Sequence, residues 1–206
     1  MRGVNSPAGG DQREDLARLV RDSVGAHQTA VEAALGALLP QILEYGRLVA
    51  QALGQGKKLL ACGNGGSAAE AQHLVAELVG RFHQERRPLP AVALTTDTSI
   101  LTAVGNDYGY REVFARQVQA LAAPGDALLL ISTSGNSENI LAAAERGRGI
   151  GTVNIALTGR SGGKLAALAD LCLRAPSDET PRIQEIHLLI DHCLCQIVER
   201  LLGFTR

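Results

Sequence analysis

His73 and Glu77 stand four residues apart in the segment AAEAQHLVAELVG, so on a helix they share one face. Gln184 and His192 lie eight residues apart in a second helical pattern, about two turns and on broadly the same side. His187 belongs to that second segment but is turned to another side. Two imidazoles, a carboxylate and an amide can form an acid/base pair, a metal site, or both. His and Glu are ordinary zinc ligands and Gln is a weak one, so such a site holds metal less tightly than a cysteine site.

Two short loops offer different chemistry. GNGGS, Gly63 to Ser67, and STSGNS, Ser132 to Ser137, each follow an apolar run and open a helical pattern. Unhindered backbone N–H groups and hydroxyls at a helix start favour an anion. Ser132, Thr133, Ser134 and Ser137 fall within six residues of the second loop, a set of neutral donors suited to a phosphate monoester. Neither loop has the Gly-x-Gly-x-x-Gly spacing of a dinucleotide fingerprint or the Gly-Lys-Ser/Thr of a P-loop. Either loop alone could be a turn whose serine caps a helix. Two of them at one edge of one sheet point to phosphate.

The elements that must position these groups follow from the apolar pattern. KKLLACG, AVALTT, DALLLIST, GTVNIALTG and DLCLRA read as five strands. Helical patterns run over Ala68–Phe82, Ser99–Val104, Val113–Leu121, Ser137–Arg146, Lys164–Ala169 and Pro181–Leu201. This alternation predicts an α/β fold, a parallel sheet with helices on both faces and ligands at the carboxyl ends of the strands. Asp15 to Leu53 is helical before the first strand, with Pro40 bending or dividing it into two long helices. Their spare apolar residues predict subunit packing. Residues 1 to 11 read as disordered, and 12 to 206 as one domain with its N-terminal helices.

Composition excludes several classes. A net charge of −1 and 3% aromatic residues argue against a nucleic-acid surface. No apolar run is long enough for a membrane span, and the start lacks a secretory leader, which predicts a cytoplasmic protein. Cys62, Cys172, Cys193 and Cys195 lack Cys-x-x-Cys spacing and read as reduced thiols.

GNGGSAAEAQH, AVALTTDTSILTAVGNDYGY, GDALLLISTSGNS, ALTGRSGG and TPRIQEIH occur in this order. With them the chain resembles, from about Leu19 to its end, the phosphoheptose isomerases of the sugar isomerase (SIS) fold. The resemblance implies a flavodoxin-like five-stranded sheet with an N-terminal helical extension. It also implies a homotetramer with active sites at subunit interfaces, and bound zinc in several members. The implied reaction interconverts sedoheptulose 7-phosphate and D-glycero-D-manno-heptose 7-phosphate, the first step toward the ADP-heptose of lipopolysaccharide. Carried over, Ser67, Ser132, Ser134 and Ser137 match phosphate-binding serines, with Thr133 beside them, and Asn64 matches a substrate contact. Glu77 matches the general base and His192 its partner acid. His73, Glu77, Gln184 and His192 match the zinc ligands, and Arg81 and Asp107 match polar residues near the sugar. Pro181 stands where many members carry Asp; others share the Pro, so it does not imply lost activity, and the expectation is a changed contact to the sugar chain. A similar non-catalytic relative binds the DnaA initiator protein and lacks the carboxylate. DnaA is therefore the partner under the alternative reading, and the presence of Glu77 favours catalysis.

Overall fold

The computed structural model describes residues 9–204. The disorder expected over residues 1–8 lies outside the described residues, and the first helix already begins at Gly9. The order is α1 (Gly9–Gly54), β1 (Leu59–Gly63), α2 (Gly66–Val79), β2 (Ala91–Ala93), α3 (Thr98–Tyr108), α4 (Ala115–Leu121), β3 (Ala127–Ser132), α5 (Glu138–Ile150), β4 (Val153–Thr158), β5 (Leu171–Arg174) and α6 (Thr180–Leu201). Short 3₁₀ turns at Tyr110–Glu112 and Lys164–Ala167 complete it.

The five strands form one parallel sheet in the order β2-β1-β3-β4-β5. β1 and β3 are buried along their whole length, because helices cover both faces. Alternate residues divide between two cores. Leu59, Ala61, Leu129, Ile131 and Leu157 pack under α1, α2 and α6, while Leu60, Cys62, Leu128, Leu130 and Ala156 pack under α3, α4 and α5.

α1 corrects the sequence reading. It is one continuous helix of 46 residues with Pro40 inside, not two helices. An interior proline costs roughly 3 kcal/mol, because its ring clashes and it donates no hydrogen bond. Here α1 buries Ala30, Ala34 and Leu38 before the proline and Tyr45, Val49 and Leu53 after it. Each fully buried large apolar side chain returns about 1.5–3 kcal/mol, so packing on both sides outweighs the break. β2 is also shorter than AVALTT suggests: the chain leaves the sheet after Ala93 and turns at Leu94 and Thr95. The segment predicted helical over Lys164–Ala169 is a 3₁₀ turn.

The direction in which strands are added reverses between β1 and β3, since β1 leads outward to β2 and β3 leads the other way to β4. Neighbouring carboxyl ends at that point leave a crevice where such sheets bind ligands. GNGGS and STSGNS leave β1 and β3 at this edge.

Candidate active site

The second loop is built from hydroxyls that face one another. Ser132 Oγ lies 3.1 Å from Ser137 Oγ. Ser137 occupies the N-cap position of α5 but makes no capping hydrogen bond with its side chain. α2 likewise starts after Gly65 without a side-chain cap. Asp97 shows the contrast, accepting from the Ile100 N–H at 2.9 Å to cap α3. The starts of α2 and α5 therefore keep uncapped N–H groups at one edge, with both helix dipoles favouring an anion. Ser67 is buried within α2.

Local bonds fix the loops. Ser134 Oγ accepts from the Asn136 N–H at 3.1 Å, and the Thr133 carbonyl accepts from the Gly159 N–H at 2.9 Å. Gly135 has φ 65°, and a Cβ there would run into the Gly162 carbonyl, so only glycine fits. Asn64 and Asn139 exchange amide hydrogen bonds of 2.9 and 2.8 Å, and the Tyr110 hydroxyl donates to Asn64 at 3.2 Å. The first loop is thus tied to the start of α5.

α2 and α6 bring the imidazoles together. His73 Nε2 lies 3.0 Å from His192 Nε2, and Glu77 Oε1 lies 3.6 Å from His73 Nε2. One Nε2 donates and the other accepts in this arrangement. Gln184 reaches back over the start of α2, where a Cβ on Gly66 would strike its amide. A cleft of about 450 Å³ opens here, lined by Gly66, Glu70, His73, Pro181, Gln184 and Glu185 among others.

His, His and Glu are the donor types zinc takes. No group of three or more His, Cys, Asp or Glu among the described residues is arranged to hold a metal ion. The donor chemistry of His73, Glu77 and His192 fits zinc, while the imidazoles as placed hydrogen-bond each other.

Arg81 pairs with Glu85 at 3.6 Å, and Asp107 accepts from Asn106 at 2.8 Å. No hydrogen bond or ion pair among the described residues joins either to the imidazole pair.

Sequence reasoning missed a buried polar layer behind the site. His187, fully buried, donates from Nε2 to the Thr158 carbonyl at 3.0 Å, and its Nδ1 lies 3.7 Å from Glu70 Oε1. Tyr45 donates to Asp191 Oδ1 at 3.1 Å. Burial raises the Glu70 carboxyl above its ordinary range, partly opposed by His187. Burial and the neighbouring Glu70 raise Asp191 well above its own. Asp191 is thus protonated in the fold at pH values where it ionises unfolded, so its contribution is full below the ordinary carboxylate range and is lost as pH rises through the folded pKa. Asp191→Asn keeps the Tyr45 bond and removes that loss. Its melting temperature is expected to exceed the wild type's at about pH 8 and to converge on it near about pH 4. A gap that widens toward low pH contradicts the assignment.

The fold is shared with known proteins. A family model described as "SIS domain" matches residues 24–159. A protein of Geotalea daltonii named phosphoheptose isomerase is 53% identical over 188 residues, covering 91% of this chain and 98% of that relative. The structure of phosphoheptose isomerase GmhA from Neisseria gonorrhoeae superposes with a TM-score of 0.86 at 45% identity, covering 90% of this chain and 99% of that one. One of a phosphoheptose isomerase from Francisella tularensis gives 0.87 at 44% identity, over 89% and 98%. The match to that model makes this five-stranded parallel sheet, with open helix starts at its switch point, a SIS domain. The chain belongs to the SIS family and, within it, to the phosphoheptose isomerases: it is a sugar-phosphate isomerase.

Proposed function

We propose that the protein interconverts sedoheptulose 7-phosphate and D-glycero-D-manno-heptose 7-phosphate through an enediol. The observation that carries the reading is the meeting of His73, His192 and Glu77 along α2, a helix whose start is left uncapped. Ser67, Ser132, Thr133, Ser134 and Ser137 hold the phosphate with the helix N–H groups, and Asn64 contacts the sugar. The phosphate, remote from the reacting carbons, supplies binding energy that fixes orientation.

Glu77 removes a proton from the carbon next to the carbonyl. The C–H electron pair becomes the enediol double bond, and the carbonyl oxygen gains a proton. The proton returns at the neighbouring carbon as the other oxygen becomes the carbonyl. His192 moves protons between the two oxygens. His73, Glu77, His192 and, more weakly, Gln184 would hold zinc, which as a Lewis acid stabilises charge on the sugar oxygens. A firmly bound carboxylate is a poorer base, so loose metal suits the double use of Glu77.

The assay of this reading follows aldose formation from sedoheptulose 7-phosphate before and after chelation. Turnover is expected to fall at least about tenfold on chelation and to return with zinc. Full activity in excess chelator removes the metal from the account. Failure to form aldose under any metal condition removes the reaction.

The reading also places the protein in the cytoplasm, at the first step toward the ADP-heptose of lipopolysaccharide. No helix among the described residues is long and apolar enough to cross a membrane. Leu16, Leu19, Val20, Val24, Leu35 and Leu39 are exposed along α1, and in the proposed homotetramer they pack on other copies. Light scattering should give four times the chain mass of 21.6 kDa, and a monomer contradicts this.

A further inference from the structure

Behind the imidazole pair, the chain leaving α2 is held by a buried ion pair that the reaction itself does not use. Arg86 and Glu199 have side chains 0% and 2% exposed, and Arg86 Nε donates to Glu199 Oε1 at 3.1 Å. The remaining guanidinium donors turn to backbone. Nη2 donates to the carbonyl of Glu77 at 2.8 Å and Nη1 to the carbonyl of Leu78 at 2.9 Å. These are carbonyls of the last turn of α2, which lack helical partners. Glu199, from α6, also accepts the N–H groups of Phe82, His83 and Gln84 at 3.2–3.3 Å. The loop so fixed lays the Phe82 ring on His192, with centroids 5.6 Å apart and planes 26° apart.

We propose that Arg86, Glu199 and Phe82 are positioning residues for the isomerisation: one buried ion pair clamps the backbone that carries Glu77 and the ring that orients His192. The chemistry of the pair supports this. A salt bridge this deep is weak evidence for stability, since desolvation offsets its attraction, so its value lies in what it aligns. Arg suits the task because a planar fork can bond a carboxylate and two carbonyls at once, which a lysine ammonium cannot do with the same geometry. The clamp joins α2 to α6, the two helices that supply all four groups of the site. Misplacing a reacting group by about 1 Å can cost about 10²-fold in rate, so a small release of the clamp is legible in turnover.

The inference rests on Glu77 and His192 being the reacting groups, so the test carries a control for that reading. Full-length wild type, Glu77→Gln, Phe82→Leu, Phe82→Tyr and Arg86→Lys are compared on sedoheptulose 7-phosphate, with folding checked by melting temperature. Phe82→Leu keeps an apolar side chain and loses the ring. It is expected to lower kcat at least about tenfold with KM within about twofold, while Phe82→Tyr restores the rate. Arg86→Lys keeps the charge and loses the fork, and is expected to give the same split of kcat from KM. If Phe82→Leu does not fold, Arg86→Lys decides. Wild-type kcat in a folded Phe82→Leu or Arg86→Lys, or equal rises in KM instead, overturns the proposal while a dead Glu77→Gln leaves the catalytic reading standing. An active Glu77→Gln overturns the catalytic reading instead.

Discussion

Glu77→Gln is expected to lower kcat by about 10³-fold or more and leave KM and the assembly unchanged. That loss corresponds to about 4 kcal/mol of transition-state stabilisation, within what one positioned general base supplies. The substitution keeps the size and shape of the side chain and removes its charge, and with it the ability to take a proton and the stronger hold on zinc. Its carboxylate is partly exposed at 27% and pairs loosely with His73, so little packing depends on its charge. The backbone carbonyl of Glu77, held by Arg86, is untouched by the change. A folded variant that retains most of the wild-type rate contradicts the assignment of the base. A variant that loses rate only because it unfolds is separated from this by its melting temperature.

The second large effect is expected from the substrate side. Sedoheptulose without its phosphate should lose about 10³-fold in kcat/KM, with part of the loss in kcat. The loops set the size of this effect: two helices begin uncapped at one sheet edge, and the Ser132 and Ser137 hydroxyls face each other instead of capping α5. Such a site is complementary to a dianion and has no substitute partner in a neutral sugar. Binding energy released there is what aligns the reacting carbons with Glu77, so a truncated substrate is held in the wrong place as well as weakly. Turnover of the free sugar within about tenfold of the phosphate ester would show that the loops do not carry recognition.

Much of this was readable from residue order. LLACG and DALLLIS announce strands buried on both faces, because a continuous apolar run suits only such a strand. The two loops were recognisable because small residues and hydroxyls cluster directly after those runs. The pairing of His73 with Glu77 needed only helical spacing, and their meeting with His192 needed the resemblance. Pro40 misled because local chemistry forbids what α6 and the sheet make affordable through contacts on either side of it. Glu70, Asp191 and Tyr45 gave no signal, since each looks like an ordinary polar residue until three helices close around it. Arg86 and Glu199 are 113 residues apart, and only packing of α6 beside the end of α2 makes them a pair.

The proposed activity is the interconversion of one ketose phosphate with one aldose phosphate. Wild-type protein incubated with sedoheptulose 7-phosphate, and separately with D-glycero-D-manno-heptose 7-phosphate, can be followed by NMR to equilibrium. Both reactions are expected to reach the same ratio of the two sugars, and neither is expected to move with Glu77→Gln. Binding of the sugar phosphates with no interconversion in wild type, zinc supplied, would contradict the account.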